Sequence, residues 1–224
     1  MTHAILTAAV LLWLVFPGLA QADEKFEHVA IRFEQNATDQ DAEIVFEATS
    51  GAVGLATLKV VAPDGRTLID FKAPDSKLGL RHFSFESPEP KNDGRVQADF
   101  PPGEYTFTGS TVSGIKLRSK AVLSHRLPSA VSFVRPRPGQ KDVPVKGLQI
   151  NWSPVKNPAA YVIVIEQEET DRKIEAKLSG TATSFAVPDG FIAPDTEYKL
   201  AIGSVMQDGN TSFVESAFTT AAKK

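Results

Sequence analysis

The sequence predicts an all-β protein: two antiparallel β-sandwiches in tandem, behind a cleavable export signal. Three observations predict it. Apolar residues recur with a period of two in short runs, as where Leu148, Ile150 and Trp152 alternate with Gln149, Asn151 and Ser153; that spacing gives a strand one face in a core and one in water. These runs are bounded by Gly, Pro, Asn and Asp, and no stretch of the first half holds a helical period long enough for a helix. A proline-dense segment, Leu127-Pro128 to Pro144, divides the runs into two sets.

Residues 1–22 read as a signal peptide. Ala4 to Phe16 is uncharged and mostly apolar, but shorter than the roughly 20 residues that span a bilayer. Pro17-Gly18 ends any helix, and Ala20-Gln21-Ala22 supplies a small-x-small cleavage pattern. One departure is the segment Met1-Thr2-His3, which has no Lys or Arg; either the true start lies upstream or the amine and His3 carry the charge. A mature chain is expected from Asp23, in a bacterial periplasm or outside the cell, with no stable membrane insertion after cleavage. There is no cysteine, so the cores rest on packing alone, and thiolate catalysis, Cys-ligated zinc and a lipidated cysteine are excluded. A net charge of −3 with both signs interspersed points to no nucleic-acid or anionic-membrane partner. The sequons at Asn36, Asn151 and Asn210 read as chance, two of them falling on a strand and a hairpin tip.

In the first domain, residues 23–127, Val29, Ile31 and Phe33 form one alternating run and Ile44 and Phe46 another, with a polar turn from Asn36 to Asp41 between them. Leu58–Val61 and Thr67–Phe71 flank Pro63-Asp64-Gly65, a short-range hairpin signal. Further strands are expected over Leu80–Phe85, Val96–Phe100, Tyr105–Phe107 and Ile115–Leu123, giving seven or eight in a sandwich. In Phe100-Pro101-Pro102-Gly103-Glu104-Tyr105 the prolines end a strand, Gly103 turns the chain and Tyr105 re-enters the core. This resembles, over a few residues, the Pro-Gly-x-Tyr lead-in of bacterial immunoglobulin-like sandwich domains. Asp-Gly pairs at 64, 93, 189 and 208 read as repeated turn chemistry rather than duplicated modules.

The second domain, residues 128–224, takes the proline segment as its first stretch, with Val131 and Phe133 in an opening strand. Trp152, the run Tyr161–Ile165, the Ile174–Leu178 alternation, Phe185 and Val187, Tyr198–Ile202 and Phe213–Phe218 follow in order. This pattern resembles a fibronectin type III domain. The resemblance rests on Trp152 and Tyr161 as a core pair, on Ile192 to Tyr198 as a tyrosine corner, and on Asp208-Gly209-Asn210 with Phe218-Thr219-Thr220 as the last hairpin and strand end. It implies a fold, and a scaffold or protein-binding use, but no ligand.

His28, His82 and His125 lie in no nucleophile setting. His28 and His82 could meet across strands and hold zinc with Glu86, but solvated sheet-face histidines fit better. Asp39-Gln40-Asp41 with Glu43 gathers hard oxygens without an EF-hand's glycine and terminal glutamate, so a polar turn is expected. Trp152, Tyr105, Tyr161 and Tyr198 all fall at core parity, against a glycan platform, although Phe26, Phe83 and Phe191 could substitute. Lys116, Arg118 and Lys120 line one strand face, as an anion or glycan stripe or as edge protection. Val162 and Val164 must face outward, toward the neighbouring domain or a protein partner. The reading is a non-catalytic, exported protein-binding or scaffold module without metal or cofactor; the alternative is an accessory polysaccharide-binding protein, and the third a hydrolase with an unrecognised site.

Overall fold

The alternating runs of the first half form β1 (His28–Asn36), β2 (Asp41–Thr49), β3 (Leu55–Val61), β4 (Thr67–Lys72) and β5 (His82–Glu86), then a short helix α1 (Asp93–Asp99), then β6 (Gly103–Thr111) and β7 (Lys116–Leu123). The computed structural model describes residues 23–223; the signal-peptide expectation lies outside them. Strands β1, β2 and β5 make one sheet face, β4-β3-β6-β7 the other. Ile31, Phe33, Ile44, Phe46, Leu58, Val60, Tyr105 and Phe107 fill the space between. Each is inward by the period-two rule, so this core was legible from spacing.

The second half contributes β8 (Phe133–Arg135), β9 (Gln140–Val143), β10 (Gln149–Trp152), β11 (Ala160–Gln167), β12 (Arg172–Ser179), β13 (Ser184–Ala186), β14 (Glu197–Val205) and β15 (Thr211–Thr220). Here β8-β10-β13 faces β12-β11-β14-β15. Trp152 and Tyr161 meet edge to face, centroids 5.4 Å apart, among Ile150, Ile163, Leu200, Ile202 and Phe218. Among the described residues the chain is all-β with one short α-helix, and this half is a two-sheet β-sandwich. With β9 set aside, the first half has the same order: its first, second and fifth strands oppose its fourth, third, sixth and seventh. The duplication is one of topology, carried by no repeated sequence.

One expected strand is a helix. Val96 and Phe100 are four residues apart, a spacing that suits a strand's parity and a helical turn equally. The Phe100 amide donates to the Val96 carbonyl at 2.9 Å, and Val96 is buried against the core. Asp93-Gly94-Arg95, expected as a turn, is the first turn of this helix.

Both sandwiches contain a tyrosine corner. The Tyr105 hydroxyl donates to the Pro101 carbonyl at 2.9 Å, and the Ala193 amide donates to the Tyr198 hydroxyl at 2.9 Å. Burial, then the charge of Asp64, pushes the Tyr105 phenol up to about 12, so it stays a donor. Tyr105→Phe and Tyr198→Phe are each expected to cost about 1 kcal/mol in denaturant unfolding, with far-ultraviolet circular dichroism unchanged.

Candidate functional site

The site begins where the two sandwiches join. β1 runs parallel to β15, Glu34, Gln35 and Asn36 pairing with Thr211, Ser212 and Phe213. The pairing merges both domains into one sheet, in the order β12-β11-β14-β15-β1-β2-β5. Past the end of β1 the Ala37 amide donates to the Phe213 carbonyl at 2.8 Å, and the Glu215 amide donates to Thr38 Oγ1 at 2.8 Å. Further on, β9 pairs with the end of β15. The outer edge of β15 is thereby covered along much of its length, which removes an edge-strand liability.

Polar side chains of β14, β15 and their hairpin hold the connecting segment. Asn210 is 1% exposed. Its Oδ1 accepts from the Phe33 amide at 2.9 Å, while Nδ2 donates to the carbonyls of Ser124 and Arg126 at 2.9 and 2.8 Å. Ser212 Oγ donates to the Pro128 carbonyl at 2.9 Å and Ser204 Oγ to that of Ser129 at 2.7 Å. Pro128 has no amide to offer a ladder, so side chains satisfy the segment's carbonyls instead. Asp208 adds an ordinary hydrogen bond from Ser124 Oγ at 2.9 Å. Gly209, at φ 90°, lies against the Arg32 stem, where a Cβ would come within 2.7 Å of Cδ.

A cleft of about 520 Å³ opens on the outer face of this shared sheet. Strand parity puts Val162, Val164, Ala201, Gly203 and Phe213 on that face. Gly203 makes room for the Phe213 ring: a Cβ there would lie 2.6 Å from a ring carbon. Val164, Ala201 and Phe213 line the cleft and are half-buried. Val162 shares the face, but it is not part of the cleft lining. The structure thus brings Val164 to the inter-domain surface.

Carboxylates form the rim. Glu34, Asp41, Glu43 and Glu89 come from the first sandwich, Glu166 and Glu215 from the second, with Lys173 and Lys199 flanking Glu166 in register. Both lysines are already paired, Lys173 with Glu175 at 3.2 Å and Lys199 with Glu168. Desolvation, then the charges of Glu89, Glu86, Glu34 and Asp41, push the Glu43 carboxyl up to about 7. Burial also raises Glu34 despite Arg32 at 3.1 Å. The hydrogen bond from Arg32 lowers Glu47.

Phe213 and the cross-strand acids were missed in the sequence. Asp41 and Glu43 suggest in the sequence only a local calcium candidate; the β1–β2 turn is closed by Asn36, whose Oδ1 accepts from the Thr38 and Asp39 amides. His28 and His82 occupy one sheet row with Thr49 between them, so they do not meet. His28 reaches Glu47 at 3.5 Å and His82 Nδ1 lies 3.3 Å from Thr49 Oγ1. His125 Nε2 lies 2.8 Å from the Phe100 carbonyl. Among the described residues, no three His, Asp or Glu side chains converge as metal ligands. Trp152, Tyr105, Tyr161 and Tyr198 are buried, and so are Phe26 and Phe83, so those two phenylalanines cannot serve as exposed sugar platforms. Phe191 lies beneath the Arg172 guanidinium, 5.0 Å from its centroid. Lys116, Arg118 and Lys120 are exposed on β7, on the opposite sheet from the cleft. No helix among the described residues is long and apolar enough to cross a membrane.

No family model and no curated protein matches the chain. Solved structures that resemble it include a two-domain fibronectin type III segment of chicken tenascin, at 12% identity, 88% of this chain, 100% of that one and a TM-score of 0.33. The fibronectin(III)-like modules of Clostridium thermocellum CbhA match at 10% identity over 88% of this chain and 94% of that one, TM-score 0.36. A tetra-tandem repeat from the extending region of a large adhesion protein matches at 14% over 87% of this chain and 50% of that one, TM-score 0.31.

Two outcomes are expected from the junction and the cleft. Asn210→Ala leaves the Phe33 amide and two carbonyls without their partner, and should cost more than about 2 kcal/mol; calorimetry should then resolve two transitions where the parent shows one. Glu43 is protonated in both folded and unfolded chain below its usual 4.5. Between 4.5 and about 7 only the folded state keeps the proton, so stability falls as pH rises, and above 7 the full penalty stands. Glu43→Gln should therefore raise the Tm near pH 8 and leave it unchanged near pH 4.

Proposed function

We propose that this is a non-catalytic, exported protein-binding or scaffold module of a bacterial envelope, acting in the periplasm or outside the cell. The observation that carries the reading is the cleft: half-buried Val164, Ala201 and Phe213 under a rim of six carboxylates and two amines, on a sheet face that both domains share. Apolar surface held open on a sheet face suits a partner's side chains, and the acidic rim favours a partner segment carrying Lys or Arg beside its apolar residues. Because the cleft walls come from two domains held in one sheet, the partner meets a preformed surface and less ordering cost.

Envelope cross-linking followed by pull-down tests this. Val164→Asp is expected to abolish recovery of the partner with unchanged circular dichroism, while Val134→Asp, at an exposed site outside the cleft, should leave recovery intact. Equal recovery with Val164→Asp would count against the cleft as the binding surface.

A further inference from the structure

The outer face of the β4-β3-β6-β7 sheet has an arrangement that the sequence does not display. Its register places Lys72, Thr57, Ser110 and Lys116 in one row across four strands, and Asp70, Lys59, Thr108 and Arg118 in the next. Thr106 and Lys120 pair in a third. The middle of the face therefore carries short hydroxyl side chains, and long cationic ones flank them on both sides. Lys59 stands roughly 10 Å from Arg118, two strand spacings away, and successive cations along β7 are about 7 Å apart. The result is a shallow trough with a hydroxyl floor and cationic walls.

Charge on this face is sorted. Five cations (Lys59, Lys72, Lys116, Arg118 and Lys120) stand against two acids, Asp70 and Glu104, whereas the whole chain has a net charge of −3. The two acids pair with Lys72 at 3.6 Å and Lys120 at 2.6 Å. No ion pair engages Lys59, Lys116 or Arg118 among the described residues. Protection of a free edge accounts for only part of this. The Glu24 amide donates to the Lys116 carbonyl at 2.9 Å, and the Arg118 amide to the Glu24 carbonyl at 2.7 Å, so the chain's own N-terminal segment already covers that end of the β7 edge. Lys59 lies on β3, between β4 and β6, where there is no edge to protect.

We infer that this face binds an anionic polysaccharide, an extended polymer of carboxylate-bearing sugars lying along β6. Lys59 and Lys72 on one side and Lys116 and Arg118 on the other neutralise its carboxylates, while Thr57, Thr106, Thr108 and Ser110 exchange hydrogen bonds with its hydroxyls. The four strands present no aromatic ring on this face on which nucleic-acid bases would stack, and its outward valines, Val61 opposite Thr106 and Val122 opposite Glu104, stand apart among polar residues and form no apolar patch that enters a bilayer interface. The surface is separate from the cleft and does not depend on it.

Affinity electrophoresis of the full chain through gels containing alginate, with neutral hydroxyethyl cellulose as the reference, tests the inference. The parent should be retarded by alginate alone, and added salt should weaken the effect. The triple variant Lys59→Gln, Lys116→Gln, Arg118→Gln should weaken apparent affinity at least about tenfold, and Lys59→Gln alone should weaken it measurably. A triple variant of equal charge change on the second domain outside the cleft, Lys141→Gln, Lys156→Gln, Lys177→Gln, should keep it. The inference is overturned if alginate does not retard the parent, or if both triple variants lose affinity equally. It is likewise overturned if the β7-face triple selectively loses binding to an oligonucleotide or to phosphatidylglycerol vesicles while alginate binding stays.

Discussion

The architecture depends on a strap of carbonyls. Between the last strand of the first sandwich and the first core residue of the second, the chain passes along the β14–β15 hairpin, and its carbonyls at Ser124, Arg126, Pro128 and Ser129 accept from Asn210, Ser212 and Ser204. A proline-bearing segment cannot make a continuous ladder, and bare buried carbonyls are costly. Three buried polar side chains solve that problem, and Asn210 also accepts from the Phe33 amide of β1. One amide side chain therefore ties together the first sandwich, the connector and the second sandwich.

Given that tie, β1 lies beside β15 and the two outer sheet faces become one surface. The cleft follows from this merger: the Phe213 ring, seated over Gly203, meets carboxylates that belong to strands of the other domain. Within the first sandwich, burial together with the neighbouring charges of Glu89, Glu86, Glu34 and Asp41 makes Glu43 hold its proton to about 7. Like charges gathered at a joint oppose the fold above that pH, while the hairpin contacts hold it closed. On the far sheet the opposite sign accumulates, so a nearly neutral chain presents an acidic cleft and a basic trough on different faces.

Much of the fold was legible because period-two spacing reports which side chain faces inward. Trp152, Tyr161 and Tyr198 were placed by parity together with the fibronectin type III resemblance, and all are buried. Val162 and Val164 lie on the sheet face opposite buried Tyr161, Ile163 and Ile165. Val96 to Phe100 misled because a four-residue spacing fits a strand and a helical turn alike. The cleft was hidden for a different reason: its acids lie on separate strands of two domains, and register across strands is a property of pairing, not of local pattern. Asn210 was read only as a sequon at a hairpin tip, since nothing local distinguishes a docked turn from a solvated one. The basic stripe was visible at Lys116, Arg118 and Lys120, whereas Lys59 and Lys72 join it only through the register of β3, β4 and β6.

Residual dipolar couplings, measured for the strands of both sandwiches in one aligned sample, test the shared sheet most directly. A single alignment tensor should fit the amides of β1 to β7 and of β8 to β15 together, at the relative orientation set by the β1–β15 pairing. Two tensors of different magnitude would mean that the sandwiches move independently, and would contradict both the strap at Asn210 and a preformed cleft.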